Sequence, residues 1–146
     1  GIILNKKLLG ILLTLVAVVA TGSVFAAQSI DVDGYKFNLP SNFEEVPSLA
    51  CVNEKMENDG VTYTANSKAF QDKTDNDEAI NILVAKYDGF NVDDEILSQS
   101  GTPKTIKGIN GYFSENETMA MFTYAKDGKA IIMTASDDDL FEDFLI

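Results

Sequence analysis

Two runs of β-branched, aromatic and Met residues, 119–125 and 130–135, flank Lys126-Asp127-Gly128-Lys129. Asp-Gly between such runs is the strongest short-range hairpin signal, because a tight two-residue turn needs positive φ at both positions and these residues accept it. Side chains alternate along a strand, so Phe122 and Tyr124 share one face while Met121 and Thr123 share the other. Neither face is clearly polar. The hairpin therefore belongs to the interior of a sheet that is covered on both sides.

The rest of the chain extends this pattern. Ile30 and Val32, then Asp33-Gly34, then Tyr35, Phe37 and Leu39 predict a first hairpin, ended by Pro40-Ser41-Asn42. Phe43 and Val46 read as a short turn tucked against the core before Pro47. Residues 48–56 suit either a helix through Leu49, Val52 and Met56 or a strand, and the neighbouring hairpins favour strand. Residues 57–60 read as a turn and 61–70 as a strand. Residues 72–78 form a polar loop, and 79–87 a long strand apolar enough on both faces to be central. Asn91 is read as the N-cap of a helix with Asp94 in a capping-box position, and Val92, Ile96 and Leu97 as its inward face. Residues 105–107 and 112–114 are short strands around a Gly108-Ile109-Asn110-Gly111 turn. Ser136 is expected to cap a last helix with Leu140, Phe141, Phe144 and Leu145 on one stripe. The expectation is a single α+β domain over residues 27–146: an antiparallel sheet of about six or seven strands with two short helices packed on it.

Ahead of that domain, Asn5-Lys6-Lys7 precedes an apolar run over 8–20, and Val24-Phe25-Ala26 before Ala27 has the small residues that signal peptidase reads. Residues 1–26 are read as a secretory signal peptide. The competing reading is an uncleaved anchor, since no charge occurs from Leu8 to Ile30. The first residue is Gly rather than Met, so the start of translation is expected just upstream. Leu49-Ala50-Cys51 resembles a lipoprotein acylation site but stands too far beyond the apolar run to be one.

Composition excludes function classes more readily than it suggests them. The cations are eleven lysines with no arginine, against 23 acids, for a net charge of −12. Such a surface repels nucleic-acid backbones and anionic headgroups, and it lacks the guanidinium fork that grips phosphate. No nucleic-acid partner is expected, and no membrane contact beyond the leader. Without histidine there is no His-based triad, no His-ligated zinc and no usual proton shuttle near neutral pH. Cys51, the one cysteine, has no internal partner and no histidine to activate it, and a buried free thiol is the expected state.

Tyr35-Lys36-Phe37-Asn38-Leu39-Pro40-Ser41-Asn42-Phe43 and the later Lys104-Thr105-Ile106-Lys107-Gly108-Ile109-Asn110-Gly111-Tyr112 resemble a small exported prokaryotic domain group. Its members set an apolar-Pro-x-x-Phe element ahead of an Ile-x-Gly-x-x-Gly-Tyr hairpin. The arrangement is similar to the PsbP-like fold, which implies an antiparallel sheet with helices on its faces. Relatives of that fold include accessory subunits of membrane complexes and a protein that binds a small GTPase. No residue here matches their functional positions, and none is carried over.

Among chemistry-bearing clusters, Asp93-Asp94-Glu95 and Asp137-Asp138-Asp139 fall in predicted first turns of helices, where carboxylates satisfy exposed N–H groups and the helix dipole. The weak calcium candidates are Asp72, Asp75, Asp77 and Glu78, although their offsets depart from an EF-hand, the central Gly is missing and Lys73 intervenes. The Gly108–Gly111 segment leads into a strand, so it is no phosphate cradle. No serine lies in a nucleophile elbow or has Lys three residues on. Asn116-Glu117-Thr118 is a glycosylation sequon between two strands, with Asn116 the candidate acceptor. The expected function is that of a small secreted, non-catalytic domain acting by surface interaction at or outside the cell envelope, with no cofactor and an unidentified protein or envelope component as partner. The alternative is a small-ligand or calcium-binding exported domain. An enzyme ranks third, with no motif behind it.

Overall fold

The structure is a computed structural model that describes residues 28–146. The signal-peptide and anchor readings of residues 1–26 therefore lie outside the described residues. Ten strands are present: β1 (Gln28–Val32), β2 (Tyr35–Leu39), β3 (Phe43–Glu45), β4 (Cys51–Asn58), β5 (Val61–Asp72), β6 (Ala79–Tyr87), β7 (Thr102–Ile106), β8 (Ile109–Glu115), β9 (Ala120–Lys126) and β10 (Lys129–Ala135). Two short helices, α1 (Asp94–Leu97) and α2 (Asp139–Phe144), and 3-10 turns at Pro47–Leu49 and Ser98–Ser100 complete the described chain.

Four of the hairpins turn on an X-Gly pair with positive φ at both residues: Asp33-Gly34, Asp59-Gly60, Lys107-Gly108 and Asp127-Gly128. This is the turn geometry whose twist matches that of the flanking strands. The expected Gly108–Gly111 turn is corrected to Lys107-Gly108, and Ile109, Asn110 and Gly111 already pair within β8. The lysine at the first turn position hid the pair, since Lys-Gly is a weaker signal than Asp-Gly. Likewise Glu57 and Asn58 extend β4, leaving only Asp59-Gly60 to turn.

The main sheet is antiparallel throughout, in the order β3-β5-β6-β10-β9-β8-β7, with β4 also on β5. β3 pairs with the far end of β5 (Phe43 opposite Asp72) and β4 with the rest (Cys51 opposite Ser67, Asn58 opposite Val61). The sheet thus holds eight strands in seven positions, and β1 and β2 form a two-stranded layer of their own. The expected sheet of about six or seven strands is corrected to eight, because Phe43 and its neighbours pair as a strand, and the first hairpin forms a separate two-stranded layer. The expected antiparallel sheet with two short helices is observed, and the hairpin of β9 and β10 is interior to it.

On the first face, Phe70, Ile80, Ile82, Val84, Phe122, Ile131 and Met133 pack with Val32 and Phe37 of the β1–β2 layer and with Leu140, Phe141 and Phe144 of α2. Phe144 closes this core, edge-on to Phe43 at 5.1 Å and tilted on Phe70 at 5.6 Å. The second face carries Tyr63, Ala65, Ala85, Tyr87, Ala130 and Ile132 with Val92 and Leu97 from the α1 region.

Both helix starts differ from expectation. Asp93, not Asn91, caps α1, its carboxylate accepting from the Ile96 N–H at 2.9 Å. Asn91 packs instead against the β9–β10 turn, where Val92 N–H donates to Gly128 O at 2.7 Å. Shifting the start by two residues turns Ile96 outward, 43% exposed, while Val92 and Leu97 remain buried. Ser136 does not cap α2. It prolongs the β6–β10 pairing, its Oγ accepting from Ala79 N–H at 3.0 Å and its own N–H donating to Ala79 O. Asp138 precedes the helix without a side-chain cap bond, and Asp137 accepts from Asp139 N–H at 2.9 Å.

Candidate functional site

The loop after β5 is organised around Asp72. One carboxylate oxygen accepts from Thr74 N–H, Thr74 Oγ1 and Asp75 N–H at 2.8, 3.0 and 3.1 Å, and the other from Asn42 Nδ2 at 2.7 Å. Burial alone would raise its pKa, yet the hydrogen bonds from Thr74, Asn42 and Asp75 hold it below the ordinary 3.8. Asp75 caps Asp77 N–H in turn at 3.0 Å. These contacts make Asp72 the staple of a hairpin loop.

Folding brings this loop toward the start of α2. Burial raises the Glu78 pKa, and the carboxylates of Asp137, Asp75, Asp72 and Asp139 raise it further. Oxygens of Asp137, Asp138 and Asp139 lie within 4.8 Å of one another, and the first two of these raise the Asp139 pKa by repulsion. The two acidic segments, read separately in the sequence, form one electronegative end of the sheet.

Asn116 is exposed in the β8–β9 connection, with Oδ1 accepting from Thr118 N–H, Thr118 Oγ1 and Met119 N–H. Cys51 is a free thiol, half-buried rather than buried, at the start of an edge strand. Burial pushes its pKa up. The Ser67 hydroxyl opposite opposes that shift without reaching hydrogen-bond geometry, and Glu54 adds to it.

The second face also carries a polar row. Ser67, Asn81, Thr123 and Thr134 are at most 2% exposed and stand on β5, β6, β9 and β10, with Asn81 opposite Thr134. Their side-chain polar atoms have no hydrogen-bond partner among the described residues. None of them lines a cavity described below.

An apolar concavity lies at one end of this second face. A cleft of about 310 Å³ is lined by Asn58 and Asp59 of the β4–β5 hairpin, Val61, Tyr87, Phe90, Ile96, Gln99 and Ser100. Tyr87 is held at the end of β6 by Tyr63, at 5.1 Å between ring centres, and Phe90 stacks on Tyr87 at 5.1 Å with planes 30° apart. Tyr87 is 8% exposed and Phe90 41%, so the outermost ring of this three-ring ladder faces solvent. Burial holds the Tyr87 hydroxyl far above its ordinary pKa. Ile96 lines the same cleft from α1. A larger open depression, about 560 Å³, is lined by Asn38, Pro40, Asn42 and the charged Lys107, Glu142 and Asp143. The sequence reading turned Ile96 inward and passed over Phe90. The available signal was an aromatic residue after Asp88-Gly89, in a linker too polar to need one for the core.

Among the described residues no helix is long and apolar enough to cross a membrane. The chain matches no protein-family model, no curated protein and no solved structure.

Proposed function

We propose that this chain is a small exported, non-catalytic domain that acts by surface contact at or outside the cell envelope, and that the Phe90–Ile96 cleft is its contact site. One observation carries the reading: two large apolar side chains from different segments, Phe90 and Ile96, stand exposed in the lining of one concavity, beside the buried Tyr63–Tyr87 pair. Exposed apolar groups that converge on a concave site are the usual mark of recognition. The absence of histidine from the sequence and the signal-like leader support the non-catalytic and exported parts. The PsbP-like resemblance belongs to the same proposal and rests on the residues that carry it, 35–43 and 104–112.

The test has two arms. Intact mass of the native protein from medium and membrane fractions is expected to begin at Ala27. A full-length mass confined to membranes would replace the released domain by an anchored one. In the second arm, crosslinking to envelope proteins is expected to fall at least fivefold in Phe90→Ser/Ile96→Ser relative to the unaltered protein. Equal crosslinking by both would remove the cleft from the contact.

A calcium-binding exported domain is the second reading, favoured by the carboxylates that Asp137–Asp139 and Glu78 bring together. Binding to the native state alone raises the melting temperature. An unchanged value at millimolar calcium would end it.

A further inference from the structure

We infer that the cleft selects a protein segment in which an apolar side chain is followed by a lysine or arginine, the apolar group entering between Phe90 and Ile96 and the cation meeting Asp59. The inference rests on the reading of the cleft as the contact site and adds the chemistry of the partner.

Size comes first. At about 310 Å³ the cleft sits at the lower limit of ligand pockets, room for one large side chain. Val61, Tyr87, Phe90 and Ile96 offer that side chain apolar walls, while Asn58, Gln99 and Ser100 add neutral polar groups.

Charge comes next. Asp59 is the one charged residue among those lining the cleft, and its carboxylate makes no hydrogen bond or ion pair with the described residues. It is exposed at the first position of the Asp59-Gly60 turn, with φ +53°, so its backbone is fixed by the hairpin rather than by a partner. Nearby, Asp88 is already neutralised by Lys55 at 3.0 and 3.1 Å. Glu57, Asp94 and Glu95 extend the negative field along the flanking strand and helix, and all three are exposed. A cation leaving the cleft would meet Asp59 without displacing a lysine. It would also pass the exposed face of Phe90, where cations are attracted to the ring. An anionic segment would meet uncompensated carboxylates instead. Beyond the leader the chain has 23 acids against nine lysines, which steers the same class of partner.

The test uses three capped peptides of equal length whose central pair is Phe-Lys, Phe-Gln or Phe-Glu, titrated into the 15N-labelled protein. Shifts of the Gly60, Gly89 and Gln99 amides report the cleft. The Phe-Lys peptide is expected to bind about fivefold more tightly than Phe-Gln, the worth of one exposed ion pair, and Phe-Glu more weakly still. Asp59→Asn should abolish the difference between Phe-Lys and Phe-Gln, as should 0.5 M salt. That variant keeps the turn, because Asn-Gly is as well suited to it as Asp-Gly. Equal binding of Phe-Lys and Phe-Gln in the unaltered protein would overturn the charge selection and leave the contact site standing. If no peptide shifts the cleft amides at millimolar concentration, or Phe90→Ala leaves the shifts unchanged, the contact site itself falls.

Discussion

The Tyr35 hydroxyl donates to the Asp127 carboxylate at 3.0 Å, and the bond joins two Asp-Gly turns that are 94 residues apart in the chain when counted from Asp33. The link is reciprocal. Lys129, just after the second turn, donates to Asp33 of the first at 3.1 Å, and the ammonium groups of Lys126 and Lys129 both stand 5.5 Å from the centre of the Tyr35 ring. Because β1 and β2 share no ladder with the main sheet, this clamp and the apolar contacts beneath it hold the separate layer in place.

The clamp predicts a coupled loss. Tyr35→Phe and Lys129→Met should each cost about 0.5–1 kcal/mol in urea unfolding, the range of partly exposed pairs. The double variant should lose less than their sum, because both contacts fix the same two turns. Strict additivity would show that the contacts act independently.

The polar row predicts stabilisation by removal. A buried hydroxyl without a partner carries a desolvation cost of about 1–3 kcal/mol, and replacing it by a methyl of similar shape relieves it. Thr134→Val and Thr123→Val are therefore expected to raise the melting temperature, most visibly at Thr134, which is fully buried opposite Asn81. A fall in melting temperature for both would mean that these hydroxyls have partners in solution.

Legibility in the sequence followed the strength of the local signal. Asp33-Gly34, Asp59-Gly60 and Asp127-Gly128 announced their turns, and 79–87 announced a central strand, because these depend on neighbouring residues alone. β3 was hidden because Phe43–Glu45 is too short to show alternation and is a strand only by pairing with β5. The cleft was hidden for a related reason. Ile96 follows Val92 at helical spacing, so periodicity placed it inside. The cap at Asp93 shortened the helix to Asp94–Leu97 and aimed it outward. Asp137–Asp139 and Glu78 could not be joined in advance, since only the β6–β10 pairing brings them together.

Gly111 predicts a steric failure. It sits in β8 beneath the Phe122 ring, and a Cβ there would lie 2.7 Å from both Phe122 Cζ and Thr123 O. The ring is fully buried against Phe141, with centres 6.1 Å apart, so it has little space to retreat. Gly111→Ala should cost about 2 kcal/mol or more, in the range of overpacked cores. Gly108→Asn, in an open turn with positive φ, should cost well under half as much. Similar losses at both positions would mean that backbone freedom, not space, is what Gly111 supplies.

Asp72 predicts a pH dependence whose sign follows from its lowered pKa. A carboxyl held below its ordinary 3.8 in the folded state adds stability above the unfolded value, and that stability is lost as the pH falls through the folded one. The unaltered protein should therefore lose stability on acidification from about pH 4 downward. Asp72→Asn keeps an acceptor for Thr74 and Asp75 but weakens the bond from Asn42, so at pH 7 it should cost about 1–2 kcal/mol. Below pH 3 the deficit should shrink, because the native carboxyl is then losing its charge as well. Glu78 provides the opposite case: its pKa is raised by burial and by neighbouring carboxylates, so its charge destabilises the folded state at neutral pH. Glu78→Gln should stabilise at pH 7 and be neutral near pH 3. Melting curves of the three proteins across pH 2.5–7 check both signs, and parallel curves would show that neither carboxyl is coupled to folding.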